Sequence, residues 1–310
     1  MKRTPEVAII ILNWNSGLHT RDCLASLAQL DYGAYWPLVV DNGSTDDSLQ
    51  RVREAFPEVP ILENGRNLGF TGGNNIGLRW ALERGADYML LLNDDTEVAP
   101  DFLRQLVEAA EADPAVGMAG PTIRYFHEPE VIWSAGGEID CRRGQTRMLG
   151  LSERDTGQFG LVPRDVDFVT GCALLARRRV LEEVGLLDDR FFAYYEETEW
   201  CVRAAKKGFK IVHVPKAIVW HKIQIEKRDD SPQVVYYMTR NRLLFLRTCG
   251  AGGRAWVHTL LFDYGRTLLS WTLRPRWRSK ATQRRAMVLA IRDALLGRWG
   301  AAKQASGWAS

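Results

Sequence analysis

Short apolar runs that end abruptly in polar residues recur along the first 120 residues of the chain. Their length and composition are typical of buried strands, which are predicted at 7–12, 38–41, 60–63, 88–93 and 116–119. Between them, hydrophobic positions at helical spacing predict helices near 19–30, 46–56, 73–84 and 100–112. This alternation predicts an α/β fold, with a mostly parallel sheet flanked by helices.

The alternation is lost between about 121 and 165, where Gly, Pro and charged residues predict hairpins and a mobile loop. Regularity returns with a strand-like run at 168–171 and a helix at 178–184. An aromatic run, 191–195, then leads into three acids at the start of another helix. A last strand is predicted at 217–220.

Polar residues follow three of the predicted strands directly. They are Asn13-Trp14-Asn15 after the first, Asp41-Asn42 after the second, and Asn93-Asp94-Asp95 after the fourth. Parallel strands present their carboxyl ends at one edge, where α/β proteins bind ligands, so these residues are expected to share a pocket. Hard cations such as Mg²⁺ or Mn²⁺ prefer oxygen ligands and neutralise diphosphates, which indicates a sugar nucleotide. The alternative is a plain turn followed by a solvated helix start.

A glycine-rich segment, 67–77, precedes the third predicted helix. It lacks both the Gly-Lys-Ser/Thr of a Walker loop and the GxGxxG order of a dinucleotide site. Backbone at Gly69 can still approach a ligand closely, with Asn67 and Asn75 offering amide contacts. The alternative is a tight turn with a capped helix.

A second acidic cluster, Glu196, Glu197 and Glu199, begins the helix that follows the aromatic run. Acids in a first turn complement the helix dipole, which explains at least one of them. One carboxylate beside Trp200 and its aromatic neighbours is expected to be desolvated, which raises its pKa and makes it a stronger base. His221, after the last strand, is either a ligand of the metal or diphosphate or a structural histidine.

Charge is distributed unevenly over the 310 residues. Residues 1–231 carry 27 Lys and Arg against 36 Asp and Glu, whereas residues 232–310 carry 14 against 2. We therefore divide the chain into a catalytic domain, 1–231, and a basic, amphipathic helical region, 232–310. Such a basic region indicates an anionic partner. No nucleic-acid-reading motif accompanies it, so nucleic acid is not an expected partner.

The segment 255–273 is the most apolar helix of the basic region and is followed by a cluster of arginines. Two interpretations stay open: an interfacial helix on an anionic membrane, or a helix packed on the main domain with a solvated basic face. The five cysteines are scattered, with neither zinc-ligand nor disulfide spacing, which indicates a reducing compartment. The expected location is cytoplasmic, at the inner face of the cytoplasmic membrane.

These motifs, taken in order, resemble a known family. Strand-Asn-Trp-Asn, Val-Val-Asp-Asn-Gly-Ser-Thr-Asp, Asn-Leu-Gly-Phe-Thr-Gly-Gly-Asn-Asn, Leu-Asn-Asp-Asp-Thr and Phe-Ala-Tyr-Tyr-Glu-Glu-Thr-Glu-Trp resemble family 2 inverting glycosyltransferases of GT-A fold. The most similar subset is the bacterial rhamnosyltransferases that build surface polysaccharides. The resemblance covers roughly residues 5 to 245.

The resemblance implies a role for individual residues. Asn93-Asp94-Asp95 matches the DxD motif, so that Asp94 contacts the ribose and Asp95 the divalent cation, Mn²⁺ or Mg²⁺, with help from His221. Asn93 replaces the first Asp of that motif, which implies a weaker metal affinity. The nucleoside is implied to contact Leu12, Asn13, Trp14, Asn15, Asp41, Asn67, Gly69 and Asn75.

The acceptor side is implied to include Gly171, Glu196, Trp200 and Arg203, with Arg203 beside either the diphosphate or the acidic cluster. The catalytic base of the family is usually an Asp that follows a Glu, and here that position is Glu197, whose carboxylate is displaced by about 1.5 Å through the extra carbon–carbon bond. Glu199 is the competing candidate.

These assignments predict a metal-dependent inverting glycosyltransferase. It would move a sugar from dTDP-rhamnose or a UDP-sugar to a hydroxyl of a glycan or polyprenyl-diphosphate-linked acceptor, in cell-surface polysaccharide or cell-wall synthesis. Two alternatives are a catalytically degenerate GT-A domain that binds glycans or lipids, and a sugar-nucleotide pyrophosphorylase. The second lacks support because no Lys/Arg-containing triphosphate loop follows the first strand.

Overall fold

The computed structural model describes residues 3–223 and 231–302. Thirteen strands lie within these ranges: β1 Val7–Asn13, β2 Tyr35–Asp41, β3 Ile61–Glu63, β4 Tyr88–Asn93, β5 Thr96–Val98, β6 Val116–Tyr125, β7 Val131–Ser134, β8 Gly137–Asp140, β9 Gln145–Met148, β10 Glu153–Arg154, β11 Arg164–Asp165, β12 Ala173–Arg177 and β13 Lys210–His221. The α-helices are α1 Gly17–Leu27, α2 Ser48–Ala55, α3 Gly69–Glu83, α4 Phe102–Ala112, α5 Arg178–Val184, α6 Glu196–Lys206, α7 Pro232–Thr248, α8 Gly253–Val257, α9 Arg266–Leu273 and α10 Ala281–Leu295.

One large mixed sheet forms the centre of the molecule, in the order β10-β7-β6-β12-β4-β1-β2-β3. Strands β1 to β4 are mutually parallel where they pair. β12 runs antiparallel to β4 on one side and to β6 on the other. β13 pairs in parallel with β6. The predicted parallel sheet is therefore confirmed for the part that carries the three polar strand ends.

Alternate residues of β1 belong to two different hydrophobic clusters. Val7, Ile9 and Ile11 pack with residues of α1 and α4, whereas Ala8 and Ile10 pack with residues of α3, α5 and α6. Since successive side chains of a strand point to opposite faces, the sheet is covered by helices on both sides. This two-sided burial explains why the strands are almost continuously apolar.

Several elements differ in their bounds from the prediction: β6 extends to Tyr125, β13 begins at Lys210, and the strand expected near 168–171 is β12, Ala173–Arg177. α3 begins at Gly69 and not near residue 73, so the glycines of 69–73 lie in its first turns. At Gly73 the missing side chain matters, because an added Cβ would overlap the Leu12 side chain. Only a glycine at this position lets the helix approach β1 this closely. The region 121–165 contains the predicted hairpin, β8–β9, together with short strands at the sheet edge.

The C-terminal helices pack on the main domain through α7. Leu244 and Phe245 of α7 form one cluster with Phe191 and Tyr195 of the aromatic run. The predicted segment 255–273 is helical, with a π-helical stretch, His258–Gly265, between α8 and α9, and a 3₁₀ turn, Pro275–Lys280, precedes α10. Within 3–223 and 231–302, none of the helices combines the length and apolarity needed to cross a membrane.

Candidate active site

The three polar strand ends lie side by side. The parallel register places Asn13 of β1 opposite Asp41 of β2, and Leu12 opposite Asn93 of β4. The strands therefore end together, and the residues that follow them share one edge of the sheet. This is the arrangement that the sequence predicts.

Asp41 is buried and organises the turn after β2. One carboxylate oxygen accepts hydrogen bonds from Asn13 Nδ2 at 2.8 Å and Ser44 Oγ at 2.6 Å. The other accepts from the backbone N–H groups of Gly43 and Ser44 at 3.1 and 3.0 Å. Asn13 is oriented in turn by the Thr20 hydroxyl, 2.8 Å from its Oδ1. The predicted contact between Asp41 and a base stays a prediction, and the structure gives this carboxylate four internal donors.

A cleft of about 370 Å³ opens beside these strand ends. Trp14 lies at its wall with 53% of its surface exposed, although it is large and aromatic. An exposed aromatic ring at the edge of a cleft is suited to stacking on a planar base. Asn15 follows in a left-handed conformation, and its Oδ1 accepts from Thr45 N at 2.8 Å, which ties the Trp14 segment to the turn after β2.

Asn42 joins this turn to the glycine-rich segment, and the sequence analysis did not assign it a role. It is buried, its Nδ2 donates to Asn67 Oδ1 and to Gly69 O, both at 3.1 Å, and its Oδ1 accepts from Leu68 N at 2.9 Å. Asn42, Asn67 and Gly69 all line the cleft. The available signal was the position of Asn42, directly after an acid at a strand end.

Asp94 and Asp95 lie at the same edge, and Asp94 lines the cleft. Burial, reinforced by the charge of Asp95, raises the pKa of Asp94 to about 7. Burial also acts to raise the pKa of Asp95, but the hydrogen bond and charge of His221 outweigh it and the pKa is lowered. His221 Nε2 lies 3.1 and 3.2 Å from the two Asp95 oxygens. The structure thus places His221 against Asp95, the two residues that the resemblance assigns to the metal, next to Asp94, which it assigns to the ribose.

A divalent cation fits these residues. Asp95 Oδ1 is buried and receives no hydrogen bond, because the hydrogen bond with His221 is made by Oδ2. Two adjacent carboxylates repel each other until a cation neutralises them. In the part of the chain that the structure describes, no group of three or more His, Cys, Asp and Glu is placed to enclose a metal by itself. Two carboxylates suffice for Mg²⁺ or Mn²⁺ when phosphates of the substrate complete the ligand set.

Glu196 and Glu197 open α6 on the far side of Gly171. Each has one buried carboxylate oxygen, Oε2, that receives no hydrogen bond. Burial raises the pKa of Glu197, while the backbone N–H groups of Glu197, Thr198 and Gly171 favour its charged form. Burial and the neighbouring Glu197 raise the pKa of Glu196 well above its usual value. An added Cβ on Gly171 would lie 2.9 Å from Phe70 Cζ and 3.7 Å from Glu197 Cβ, so a glycine here leaves the space between Phe70 and Glu197 open.

Glu199, the competing base, is held on another face of α6. Its two oxygens lie 2.9 and 2.8 Å from Arg203 Nε. Arg203 also donates to Val184 O and Leu186 O at 2.8 and 2.7 Å. These residues fasten α6 to the end of α5. The resemblance implies that Arg203 lies beside either the diphosphate or the acidic cluster, and the structure pairs it with Glu199 of that cluster.

The structure engages two other residues with predicted ligand contacts, Trp200 and Asn75, inside the protein. Trp200 is wholly buried and its indole N–H donates to Gly185 O at 2.8 Å, so it belongs to the core and offers no face to an acceptor. Asn75 is buried six residues into α3, where its Nδ2 donates to Leu187 O and Asp189 Oδ1 at 2.9 and 2.7 Å and its Oδ1 accepts from Leu187 N at 3.1 Å. It fastens the 187–189 segment.

Comparison with known proteins agrees with this geometry. The model of the family described as glycosyl transferase family 2 matches residues 8–185. The chain is 28% identical over 291 residues to the N-acetylglucosaminyl-diphospho-decaprenol L-rhamnosyltransferase of Mycobacterium tuberculosis, covering 87% of this chain and 90% of that protein. It is 25% identical over 252 residues to the dTDP-rhamnosyl transferase RfbF of Shigella flexneri, covering 77% and 79%.

Solved structures show the same fold. The mannosyltransferase PcManGT from Pyrobaculum calidifontis, in complex with GDP-Man and Mn²⁺, superposes with a TM-score of 0.60 at 16% identity, covering 96% of this chain and 89% of that one. The expected GT-A fold is thereby confirmed. Strand ends that carry Asp94 and Asp95, a cleft beside them and a family match over more than half of the chain lead to one conclusion: the protein is an enzyme of glycosyl transferase family 2.

Proposed function

We propose that this enzyme transfers a sugar, with inversion, from dTDP-rhamnose or a UDP-sugar to a hydroxyl of a glycan or polyprenyl-diphosphate-linked acceptor. The observation that carries the proposal is the cleft itself. Asp94 lies on one wall, and Phe192 and Tyr194, from the loop that leads into the helix of Glu197, lie on another. A nucleotide sugar in this cleft would lie between the two acidic groups that the reaction needs.

Each side of the cleft has its own task in the reaction. Trp14 and Asn67 bind the nucleoside, and Asp94 orients the ribose. Glu197 accepts the proton of the acceptor hydroxyl, whose oxygen forms the new bond to the anomeric carbon while the bond to the diphosphate oxygen breaks. The raised pKa of Glu197 makes it a stronger base than an exposed glutamate.

The leaving diphosphate needs neutralisation of its charge. Asp95 and Asp94, with His221 behind Asp95, would hold the divalent cation, which when bound acts as a Lewis acid toward the diphosphate. The names of two similar proteins support the choice of substrates: one is a dTDP-rhamnosyl transferase and the other acts on a decaprenol-linked acceptor.

The first experiment is calorimetric titration of the protein with dTDP and with UDP, each with and without Mn²⁺. Metal-dependent binding that favours dTDP supports a deoxysugar donor, and preference for UDP points to hexoses or N-acetylhexosamines. Glu197→Gln should then lower turnover by about 10²-fold or more with the nucleotide affinity unchanged. Binding of neither nucleotide, or nearly full activity of Glu197→Gln, would contradict the proposal.

We further propose that the enzyme works at an anionic membrane surface, where a polyprenyl-linked acceptor resides. The segment 255–273 is apolar on two faces. Its inner residues, among them Leu260 and Tyr264, pack in the C-terminal core, whereas its outer residues are exposed: Val257, Leu261, Phe262, Leu269 and Leu273. Exposed arginines follow at 274, 276 and 278. An apolar stripe beside clustered cations suits the interface of an anionic bilayer.

A pair of matched substitutions tests this surface. Leu261→Glu, at a side chain 65% exposed on the outer stripe, should reduce sedimentation with anionic vesicles. Leu161→Glu, at a side chain 70% exposed in the catalytic domain, serves as the control and should bind vesicles like the unmodified protein. Equal vesicle binding by the two variants would refute the membrane surface and leave the transferase activity untouched.

A further inference from the structure

The loop that leads into α6 has an unusual backbone. Three of its residues, Phe192, Tyr194 and Tyr195, have φ angles of +67°, +71° and +74°. Left-handed conformations are unfavourable for residues with a bulky side chain, and they persist only where surrounding contacts enforce them. We call residues 191–195 the aromatic loop. Its last residue is the N-cap of α6, so its shape sets where Glu197 lies.

Helix α7 supplies the contacts that enforce this shape. The wholly buried Asn241 directs its Nδ2 at three main-chain carbonyls of the aromatic loop, those of Phe191, Ala193 and Tyr194, at 2.7, 2.7 and 2.9 Å. Its Oδ1 accepts from Arg240 Nε at 3.0 Å, which fixes the orientation of the amide. The Asn241 side chain thus hydrogen-bonds to three carbonyls of the aromatic loop, a segment without regular secondary structure.

The preceding residue of α7 acts on the same segment. Arg240 is buried, and its guanidinium donates to Phe191 O at 3.1 Å and to Gly300 O at 2.6 Å, between the rings of Tyr236 and Tyr237. Gly300 N donates to Arg190 O at 2.8 Å. Burying a guanidinium is costly, and the oxygens to which Arg240 donates, those of Asn241, Gly300, Arg190 and Phe191, are all neutral. The cost of burying this guanidinium is offset by its hydrogen bonds, which order the start of the aromatic loop.

The opposite side of the aromatic loop meets the nucleotide side of the cleft. Phe192 O accepts from Thr71 N of α3 at 3.1 Å, and the Phe192 ring stacks on Tyr237 of α7 at 5.2 Å. Phe192 and Tyr194 themselves line the cleft. The aromatic loop is therefore held between α3 and α7. One side contacts α3, which belongs to the nucleotide half of the cleft, and the other side contacts α7, which belongs to the C-terminal helices.

We propose that Asn241 is a positioning residue for transfer: its amide holds the aromatic loop in the left-handed shape that places Glu197 against the anomeric carbon. The proposal rests on Glu197 being the base. It makes α7, outside the residues that the family model matches, a part of the working active site. A small displacement of a catalytic group suffices for a large loss of rate. If the loss of this amide relaxes the aromatic loop, nucleotide binding should therefore stay unchanged while turnover falls.

The test compares two substitutions on one helix in the full-length protein. Asn241→Asp keeps the size of the side chain and removes its N–H donors, and Asn241→Leu removes all its polar atoms. The matched control is Thr239→Val, an equally buried and nearly isosteric change two residues away. For each, kcat with the preferred donor, the Kd of the nucleoside diphosphate and hydrogen–deuterium exchange of residues 190–197 are measured.

We expect kcat to fall about 10- to 100-fold in both Asn241 variants, with the nucleotide Kd changed less than about 3-fold. Exchange should rise at 190–197 while the strands β1 and β4 keep their protection, and Thr239→Val should match the unmodified protein. Unchanged kcat and exchange in both variants would overturn the proposal. So would a uniform rise of exchange across the sheet, which would show a general stabilising role. If the unmodified protein transfers no sugar, the proposed function fails, and the exchange data still decide whether Asn241 holds the loop.

Discussion

Gly69, the first residue of α3, allows a sharp prediction because two separate constraints meet there. Its φ is +75°, and an added Cβ would overlap the carbonyl oxygen of Phe192 and lie 2.6 Å from Cδ2 of the Phe192 ring. Gly69→Ala therefore both strains the backbone and pushes on the aromatic loop. Because the Phe192 ring also stacks on Tyr237, moving it away from the added Cβ would disrupt that stacking.

Gly65 provides a matched control for the strain alone. It has φ +67° and no atom within 4 Å of its would-be Cβ. Gly65→Ala should cost about 1–2 kcal/mol from the left-handed backbone. Gly69→Ala should cost the same plus about 1–3 kcal/mol of overpacking, so the difference between the two variants isolates the clash.

The assay is urea unfolding of both variants, followed by turnover of each at a temperature where it is fully folded. We expect Gly69→Ala to lose at least about 1 kcal/mol more stability than Gly65→Ala and to lose turnover about 10-fold or more, while Gly65→Ala keeps normal turnover. Equal stability and equal turnover of the two variants would refute the predicted clash. This result would show that the aromatic loop moves away from the added Cβ with no loss of stability or activity.

Three further predictions concern the acids of α6 and the two tryptophans. The raised pKa of Glu196 means that the folded state binds its proton more tightly than the unfolded state, so folding stability falls as the pH rises above the ordinary glutamate pKa of about 4.3. Glu196→Gln should therefore raise the Tm more at pH 8 than at pH 5. An equal rise of the Tm at both pH values would contradict this. Glu199→Gln should destabilise by about 1–3 kcal/mol through Arg203 yet keep turnover per folded molecule, and a collapse of turnover would make Glu199 the base. Trp14→Ala should weaken nucleotide binding, measured by calorimetry, by about 1–3 kcal/mol without lowering the Tm. Trp200→Phe should lower the Tm, measured by thermal unfolding, without weakening nucleotide binding.

The sequence predicted the nucleotide side of the site better than the acceptor side. Asn13, Asp41 and Asp94 follow strands of one parallel sheet, and parallel register brings strand ends together whatever the remaining fold is. The helix α6 has no such rule. Glu196, Trp200 and Arg203 recur at helical spacing, which fixes that they share a face but not whether that face meets the cleft or the core.

Contacts between distant segments account for the remaining differences. Asn75 appeared to be a ligand of the nucleotide because it lies in a glycine-rich segment, but its partners are residues 187–189. Arg240 and Asn241 carried no motif, and their acceptors are carbonyls about fifty residues earlier, a pairing that local pattern cannot reveal. The inner face of 255–273 packs on α7 and α10 within the C-terminal region, and the membrane contact stays a prediction for the outer face.

The hydrogen bonds of Gly300 bear on when a newly made chain becomes active. Its N–H donates to the carbonyl of Arg190, the residue before the aromatic loop, and its C=O accepts from Arg240, which also donates to Phe191 O. The central sheet and its polar strand ends are synthesised first and can bury their core without this residue. A nascent chain, or one cut before residue 300, would carry a formed nucleotide cleft beside a catalytic loop that is not yet set. Nucleotide binding would then precede competence for transfer during synthesis.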